Sequence, residues 1–327
     1  MKVMVPDYLS ADLLPRMRAI HPEIELVPVS VYGSYIGSLE NLEVIFKFFP
    51  SDRFSQHEFG GEVLRGIIQA APLLRWIHNG RAGVDDLLIP QLVESNIILT
   101  NGAGAPTRAV AETVLAFIFA DAKALVAHFR NQEARLWKKL LHRSLRGQTV
   151  AILGVGRIGM EVAHLCCGLG MRVVGTKRLV PSQSIPNIEK VFPSELQNDC
   201  VRQADYVVVA AALTPETCGM VNESTFRAMP PHAAFINIAR GEIVDERALI
   251  NALQSGSLRA AYLDVFNNEP LPPDSPFFEL PNVFIMPHNS PHSQDLLEEM
   301  ILIFLENLRR YCSGEPLRNI VDKRVGY

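Results

Sequence analysis

The stretch from Thr149 to Gly159 constrains the fold more than any other part of the sequence. Thr149-Val150-Ala151-Ile152-Leu153 has the unbroken apolar pattern of a strand covered on both faces. It runs directly into Gly154-Val155-Gly156-Arg157-Ile158-Gly159, and a helical pattern follows from Met160. A glycine turn between a buried strand and a helix is the dinucleotide fingerprint in its required context. One glycine makes the tight turn, the second lets the backbone approach a pyrophosphate, and the third lets the helix pack close to the strand. The helix start turns its N–H groups and positive dipole end toward the phosphates. Gly154, Gly156, Arg157, Ile158 and Gly159 are therefore candidate cofactor contacts.

Around this segment, short apolar runs alternate with helical patterns, as in parallel sheets built of βαβ units. One series of expected strands comprises Val3–Pro6, Val44–Phe48, Leu74–His78 and Ile97–Thr100, with a helical pattern at Glu62–Ala71. A second series begins at Thr149–Leu153 and continues with Arg172–Gly175, Tyr206–Ala210, Ala234–Ile238, Ala261–Leu263 and Val283–Ile285. Between them, one long helical stretch is expected from Ala109 to about Leu140. Its first half, Ala111 to Val126, is apolar almost all round, as in a helix buried between layers or at a subunit interface. The amphipathic segment Ser293–Cys312 has too short a tail to found a domain, so it is expected to cross back onto the first one. The expected fold is α/β, with two Rossmann-like domains of parallel sheets and the nucleotide-binding domain inserted in the substrate-binding domain. Residues 1–98 and 290–327 would form the substrate-binding domain and 99–289 the nucleotide-binding domain.

Composition narrows the function. At 327 residues the chain is long enough for two domains, and 48% hydrophobic residues can fill their cores. A formal net charge of −4 argues against a nucleic-acid or anionic-membrane partner, which would need a basic excess. Runs such as Val207–Leu213 fall well short of the roughly 20 residues that span a bilayer. The opening Met1-Lys2-Val3-Met4-Val5-Pro6-Asp7 lacks the apolar stretch of a secretory signal. Cys166, Cys167, Cys200, Cys218 and Cys312 are odd in number and form no C-x-x-C pair, which suggests buried thiols in a reducing compartment. A cytoplasmic protein with no metal site is the expectation.

The strand after the glycine turn should end in an acid that accepts hydrogen bonds from the adenosine ribose. It ends instead in Gly175-Thr176-Lys177-Arg178. Two cations and a hydroxyl suit a 2′-phosphate, so NADP is expected in preference to NAD. The plainer alternative is a solvated basic strand end, with Arg178 over the adenine.

Three further clusters each follow an expected strand of the second series. Asn237-Ile238-Ala239-Arg240-Gly241 places an arginine where open α/β sheets bind ligands, and a guanidinium can hold a carboxylate with two parallel hydrogen bonds. The next strand leads to Asp264-Val265-Phe266-Asn267-Asn268-Glu269, and the last to Pro287-His288-Asn289-Ser290-Pro291. A carboxylate beside an imidazole favours its protonated form, giving a proton donor near neutral pH. Singly, each residue is more often structural. Together at matching strand ends, Arg240, Glu269 and His288 point to catalysis on a carboxylic acid.

In order and spacing, the sequence resembles the D-isomer-specific 2-hydroxyacid dehydrogenase family over nearly its whole length. The likeness rests on Trp76-Ile77-His78-Asn79-Gly80-Arg81-Ala82-Gly83-Val84-Asp85, on Thr100-Asn101-Gly102 through Val110-Ala111-Glu112, and on the glycine turn. Leu213-Thr214-Pro215-Glu216-Thr217 and the three catalytic clusters add to it. The resemblance implies hydride transfer between a nicotinamide cofactor and C2 of a 2-oxo or D-2-hydroxy acid, in a cleft between the domains. It implies that Arg240 grips the substrate carboxylate, that His288 protonates the carbonyl oxygen and that Glu269 holds the histidine. Asp264 would lie by the nicotinamide carboxamide, with Thr214, Thr217, Ala239 and His288 as further cofactor contacts. The Arg81-Ala82-Gly83 turn would receive the substrate carboxylate, and a homodimer would form through the nucleotide domains.

Two departures stand out. Asn289-Ser290-Pro291 replaces the small apolar pair usual after the histidine, and Arg81 stands where many relatives carry serine. A second guanidinium at the substrate turn favours a second anionic group, as in a dicarboxylic acid of the malate/oxaloacetate kind or a phosphorylated acid. The plainer alternative is that Arg81 points to solvent or pairs with Asp85 or Asp86. The alternative class is a dinucleotide-sensing co-repressor of the same fold, which binds cofactor without turnover.

Overall fold

The computed structural model describes residues 1–48 and 59–326. Its strands are β1 (Lys2–Pro6), β2 (Glu25–Val29), β3 (Leu42–Lys47), β4 (Trp76–Asn79), β5 (Ile98–Asn101) and β6 (Thr149–Leu153). They continue with β7 (Arg172–Lys177), β8 (Lys190–Pro193), β9 (Tyr206–Val209), β10 (Ala234–Asn237), β11 (Ala260–Leu263) and β12 (Val283–Ile285). The first five form a parallel sheet in the order β2-β1-β3-β4-β5. The other seven form a second parallel sheet in the order β12-β11-β10-β9-β6-β7-β8. In the second sheet the strand order reverses between β6 and β9, which puts the glycine turn after β6 at the switch point where such sheets bind nucleotides.

Met1–Pro106 with Gln294–Tyr327 make one compact unit, and Thr107–Ser293 make the other. Strand β5 pairs with β4 from Trp76↔Ile98 to Asn79↔Asn101, so the sequence-based division at residue 98 falls within a strand of the first unit. In that unit the helix Leu296–Ser313 buries Leu296, Met300, Ile301, Phe304 and Leu308 among Val3, Val5, Val44, Phe46 and Trp76. Four of those five helix residues recur at the spacing of one helical face. Phe304 stacks on Phe46 with ring centroids 4.3 Å apart. Beneath it, Thr100 accepts the Trp76 indole N–H at 2.8 Å and meets His78 Nδ1 at 2.7 Å. Burial pushes the His78 pKa down to about 3, and the ring stays neutral.

Some expectations are corrected. The long helix is broken: Thr107–Ala122 ends, Ala124 takes a left-handed φ of 50°, and Leu125–Glu133 continues as a separate helix. The following segment is not helical and returns along the first helix, where Arg143 N–H donates to Ala122 O at 2.9 Å. Asp121 anchors this return. Its buried carboxylate takes the guanidinium groups of Arg143 and Arg259 and the Tyr206 hydroxyl, the last at 2.7 Å. Strands β2 and β8 were not expected, because both are short, partly exposed sheet edges that contain proline and so lack a clear apolar signal. Among the cysteines, only Cys166 and Cys200 are buried, while Cys218 and Cys312 are exposed. Among the described residues, no helix is long and apolar enough to cross a membrane, and no group of three metal-ligating side chains forms.

Candidate active site

The glycine turn shows why two of its glycines, Gly154 and Gly159, are required. Gly154 has φ 103°, and a Cβ there would lie 2.6 Å from the Ala211 backbone. A Cβ on Gly159 would lie 2.5 Å from the Gly154 carbonyl oxygen, so the helix Arg157–Gly168 could not approach the turn. Beside Gly156 there is open space, and no side chain caps the first turn of the helix. A cradle of this shape, with a helix N-terminus facing it, fits the pyrophosphate of a dinucleotide.

The end of β7 braces the turn. Thr176 Oγ1 accepts the Gly154 N–H at 3.2 Å, its carbonyl accepts the Val155 N–H at 2.8 Å, and Lys177 Nζ donates to Val155 O at 2.8 Å. Thr176 and Lys177, read from the sequence as phosphate contacts, thus spend these groups on the turn itself. Arg178 lies close enough to Glu216 to help hold its carboxyl below the usual range, after the larger effect of the Thr214 hydroxyl. Thr214 and Thr217 knit the loop after β9: Thr214 N–H donates to Thr217 Oγ1 at 2.7 Å, and that hydroxyl donates to Ala212 O at 2.7 Å.

The parallel register brings the three catalytic candidates to one edge. Asn237 pairs with Leu263, and Leu263 with Ile285, so the residues that follow β10, β11 and β12 emerge side by side. Asn237, which is buried, accepts the Ala239 N–H at 3.1 Å and donates to the Arg240 carbonyl at 3.0 Å. Arg240 Nη1 donates to Ala239 O at 2.8 Å. The Glu269 carboxylate accepts the Phe266 N–H through Oε1 at 2.9 Å and meets His288 Nδ1 through Oε2 at 2.7 Å. The carboxylate can only accept, so Nδ1 carries a proton and Nε2 is left for other work. Burial pushes the Glu269 carboxyl upward. The bond and charge of His288, the Phe266 N–H and the charge of Arg240 outweigh that push and hold it below the usual carboxylate range.

His288 itself takes a left-handed φ of 48°. Its N–H donates to the Asp264 carbonyl at 2.7 Å, while the Asp264 carboxylate accepts the Asn289 N–H at 2.7 Å and the Ser290 N–H at 3.1 Å. Asp264 is fully buried, and burial pushes its carboxyl above the usual range, against the pull of the Ser290 hydroxyl and these N–H groups. The residue assigned from the resemblance to the nicotinamide therefore also fixes the histidine's loop, a role that Ser290 makes visible.

In the first unit, the turn after β4 is organised by two asparagines that the sequence reading passed over. Asn79 Nδ2 donates to Gly83 O at 2.6 Å, Asn101 Nδ2 donates to Ala82 O at 2.7 Å, and Gly102 N–H donates to Arg81 O at 3.1 Å. With those carbonyls engaged, the Ala82 and Gly83 N–H groups donate to nothing among the described residues. The signal was present in the sequence as two Asn-Gly pairs at strand ends, Asn79-Gly80 and Asn101-Gly102. Tyr8, also overlooked, donates its hydroxyl to Phe48 O at 3.1 Å. Burial and the charge of Asp7 push that hydroxyl well above the usual range, against the pull of Arg81.

Residues 115–290 match the family described as D-isomer specific 2-hydroxyacid dehydrogenase, NAD binding domain. The chain belongs to this family. A glyoxylate reductase from Thermococcus kodakarensis is 33% identical over 98% of this chain and 92% of its own length. A D-3-phosphoglycerate dehydrogenase from Archaeoglobus fulgidus is 30% identical over 98% of this chain, but the chain spans only 59% of that relative. The family likeness extends to tertiary structure. A crystal structure of a D-isomer specific 2-hydroxyacid dehydrogenase from Xanthobacter autotrophicus Py2, in complex with NADPH and MES, matches with a TM-score of 0.85 and 28% identity. That match covers 100% of this chain and 99% of the other.

Proposed function

We propose that the protein reduces 2-oxo acids to D-2-hydroxy acids with a nicotinamide dinucleotide, and catalyses the reverse oxidation. The observation that carries this reading is the 2.7 Å contact of His288 Nδ1 with Glu269, formed at the strand edge that also presents Arg240. Glu269 orients the imidazole and favours its protonated form, so Nε2–H can give a proton to the carbonyl oxygen as it becomes a hydroxyl. Arg240 grips the substrate carboxylate and stabilises charge that develops on the reacting oxygen. Gly154, Gly156, Arg157, Ile158 and Gly159 would hold the pyrophosphate, with Thr214, Thr217, Ala239, Asp264 and His288 lining the rest of the cofactor site. The bound nicotinamide supplies the hydride to C2.

NADP is the preferred cofactor in this reading. The strand β7 ends without an acid, Arg178 follows it, and the Xanthobacter relative was crystallised with NADPH. The turn Arg81-Ala82-Gly83, whose Ala82 and Gly83 N–H groups donate to nothing among the described residues, receives an anionic group of the substrate. Arg81 at this turn selects a second negative charge, as in a malate/oxaloacetate-type dicarboxylate. A homodimer is proposed from Trp137 and Leu141, both fully exposed, and from Phe129 and Leu136 in the same stretch of chain, since large apolar side chains left in water gain from association.

A panel of mono- and dicarboxylic 2-oxo acids, assayed with NADPH and NADH, tests the reading. Turnover is expected, and cofactor binding without turnover of any 2-oxo acid would instead support a dinucleotide sensor. Arg81→Ser should lower kcat/KM roughly ten- to a hundredfold for dicarboxylates, the worth of one charge-assisted hydrogen bond, and spare monocarboxylates. Equal loss on both classes, or none on either, would return Arg81 to the scaffold.

A further inference from the structure

We propose that Glu246 is a positioning residue for this reaction, holding the loop that carries Glu269 against the segment that carries Arg240. The inference rests on the roles just proposed for those residues.

Glu246 opens the helix Glu246–Gln254, whose N-terminus is already capped by Asp245, the side chain of which accepts the Ala248 N–H at 3.0 Å. A carboxylate in a first helical turn is favoured there by the dipole and needs no partner outside the helix. Glu246 nevertheless reaches away from it. Its Oε1 accepts the N–H of Asn267 at 2.8 Å, two residues before Glu269. The neighbouring N–H, that of Phe266, donates to Glu269 Oε1 at 2.9 Å. Two successive peptide N–H groups of one loop are thus divided between two carboxylates, one from inside the loop and one from outside it.

Gly241 closes against the second of these peptides, Phe266–Asn267. A Cβ there would lie 2.0 Å from the carbonyl carbon of Phe266 and 2.2 Å from the nitrogen of Asn267, so only glycine allows this approach. The stretch from Arg240 to Glu246 is itself fixed. Val244 N–H donates to Gly241 O at 2.8 Å, Asp245 N–H to Val221 O at 2.9 Å, and Val221 N–H to Ile243 O at 3.0 Å. Glu246 therefore joins a braced segment, which begins at the arginine, to the loop that ends at the glutamate.

Burial pushes the Glu246 carboxyl above its ordinary range, against the pull of the Asn267 N–H, and Glu242 adds to the rise. Partial burial of a carboxylate costs hydration, and here it is spent on one peptide of an otherwise exposed turn, Asn267-Asn268. That placement serves the geometry of Glu269, and through it the imidazole that Glu269 holds.

The test compares Glu246→Ala, Glu246→Gln and Glu246→Asp with the unaltered protein. Four readouts are needed: Tm, kcat and KM taken separately, the alkaline limb of kcat/KM for reduction, and the downfield NMR resonance of the His288 Nδ1–H in the free protein. In Glu246→Ala, kcat is expected to fall about tenfold with KM within about twofold, since a displacement of about 1 Å can cost on the order of a hundredfold. The alkaline limb should move to lower pH, and the downfield resonance should weaken. Glu246→Gln keeps an acceptor oxygen at the same reach and should restore most of kcat and the resonance. A Glu246→Ala protein with a lower Tm but an unchanged kcat, limb and resonance overturns the proposal. If that variant does not fold, Glu246→Asp, one methylene short, is expected to show the same displacement. An unaltered protein with neither limb nor resonance would instead overturn the Glu269–His288 pairing, and this inference with it.

Discussion

Replacing Glu269 by glutamine removes a charge while nearly preserving shape, and its effect can be worked from the contact it breaks. The carboxylate meets His288 Nδ1 at 2.7 Å with both side chains partly buried. A hydrogen bond of this charged kind is worth about 1.5–3 kcal/mol. At about 1.36 kcal/mol per factor of ten, that corresponds to roughly ten- to a hundredfold in rate. The sign follows from which form the carboxylate favours. The Glu269 carboxylate, held below its usual range by the bond and charge of His288 among others, favours a charged partner, and a neutral amide does not. Reduction consumes the imidazole proton, and the decline of its kcat/KM with rising pH should therefore set in earlier in Glu269→Gln. Above both limbs the variant should be slower by roughly ten- to a hundredfold, and below both it should approach the unaltered enzyme. Oxidation of the hydroxy acid uses the neutral ring as base, so its acid limb should move the same way and activity at low pH should improve. The assay is kcat/KM in both directions across the pH range, with saturating cofactor. A loss that is constant with pH would show that Glu269 orients the ring without biasing its proton, and the coupling argument would fail.

Arg240→Ala should reduce kcat/KM by on the order of 10²–10⁴ while cofactor affinity, followed by fluorescence titration, stays close to normal; retention of more than about a tenth of the activity would remove Arg240 from the chemistry. The contacts at the end of β7 separate its two cations: Arg178→Ala should raise the KM for NADPH far more than that for NADH, whereas Lys177→Ala, which frees the Val155 carbonyl, should weaken both cofactors alike. Better use of NADH than NADPH by the unaltered enzyme would refute the 2′-phosphate reading. Asp121→Ala leaves Arg143 and Arg259, both partly exposed, without their shared acceptor, and denaturant unfolding should show a loss of about 1.5–3 kcal/mol, with little change in kcat if the enzyme stays folded at the assay temperature.

Much of the fold could be read directly from the chain, because the signals involved are short-range. Apolar runs at strand length, the period of the helix Leu296–Ser313 and the glycine turn after β6 each depend on backbone geometry and side-chain spacing within a few residues. Where the local signal was weak, it misled. The edge strands β2 and β8 bury too little to carry a pattern, and nothing in the apolar run around Ala124 announces a left-handed residue that splits one helix into two.

The candidate site divides in the same way. Its residue types and their places after successive strands were determined by the sequence, and so was membership of a dinucleotide-dependent family. Which atoms meet was decided by the tertiary structure. Glu269 reaches His288 because β10, β11 and β12 run parallel in a register that aligns Asn237, Leu263 and Ile285. Lys177 turns back onto Val155, Asp264 serves the histidine's loop, and Glu246 takes the Asn267 N–H, because burial requires each polar group to find the nearest partner. Local rules fix an element within a turn or two of chain, whereas a partnership between residues 19 to 25 positions apart exists only after the sheet has set the distance between them.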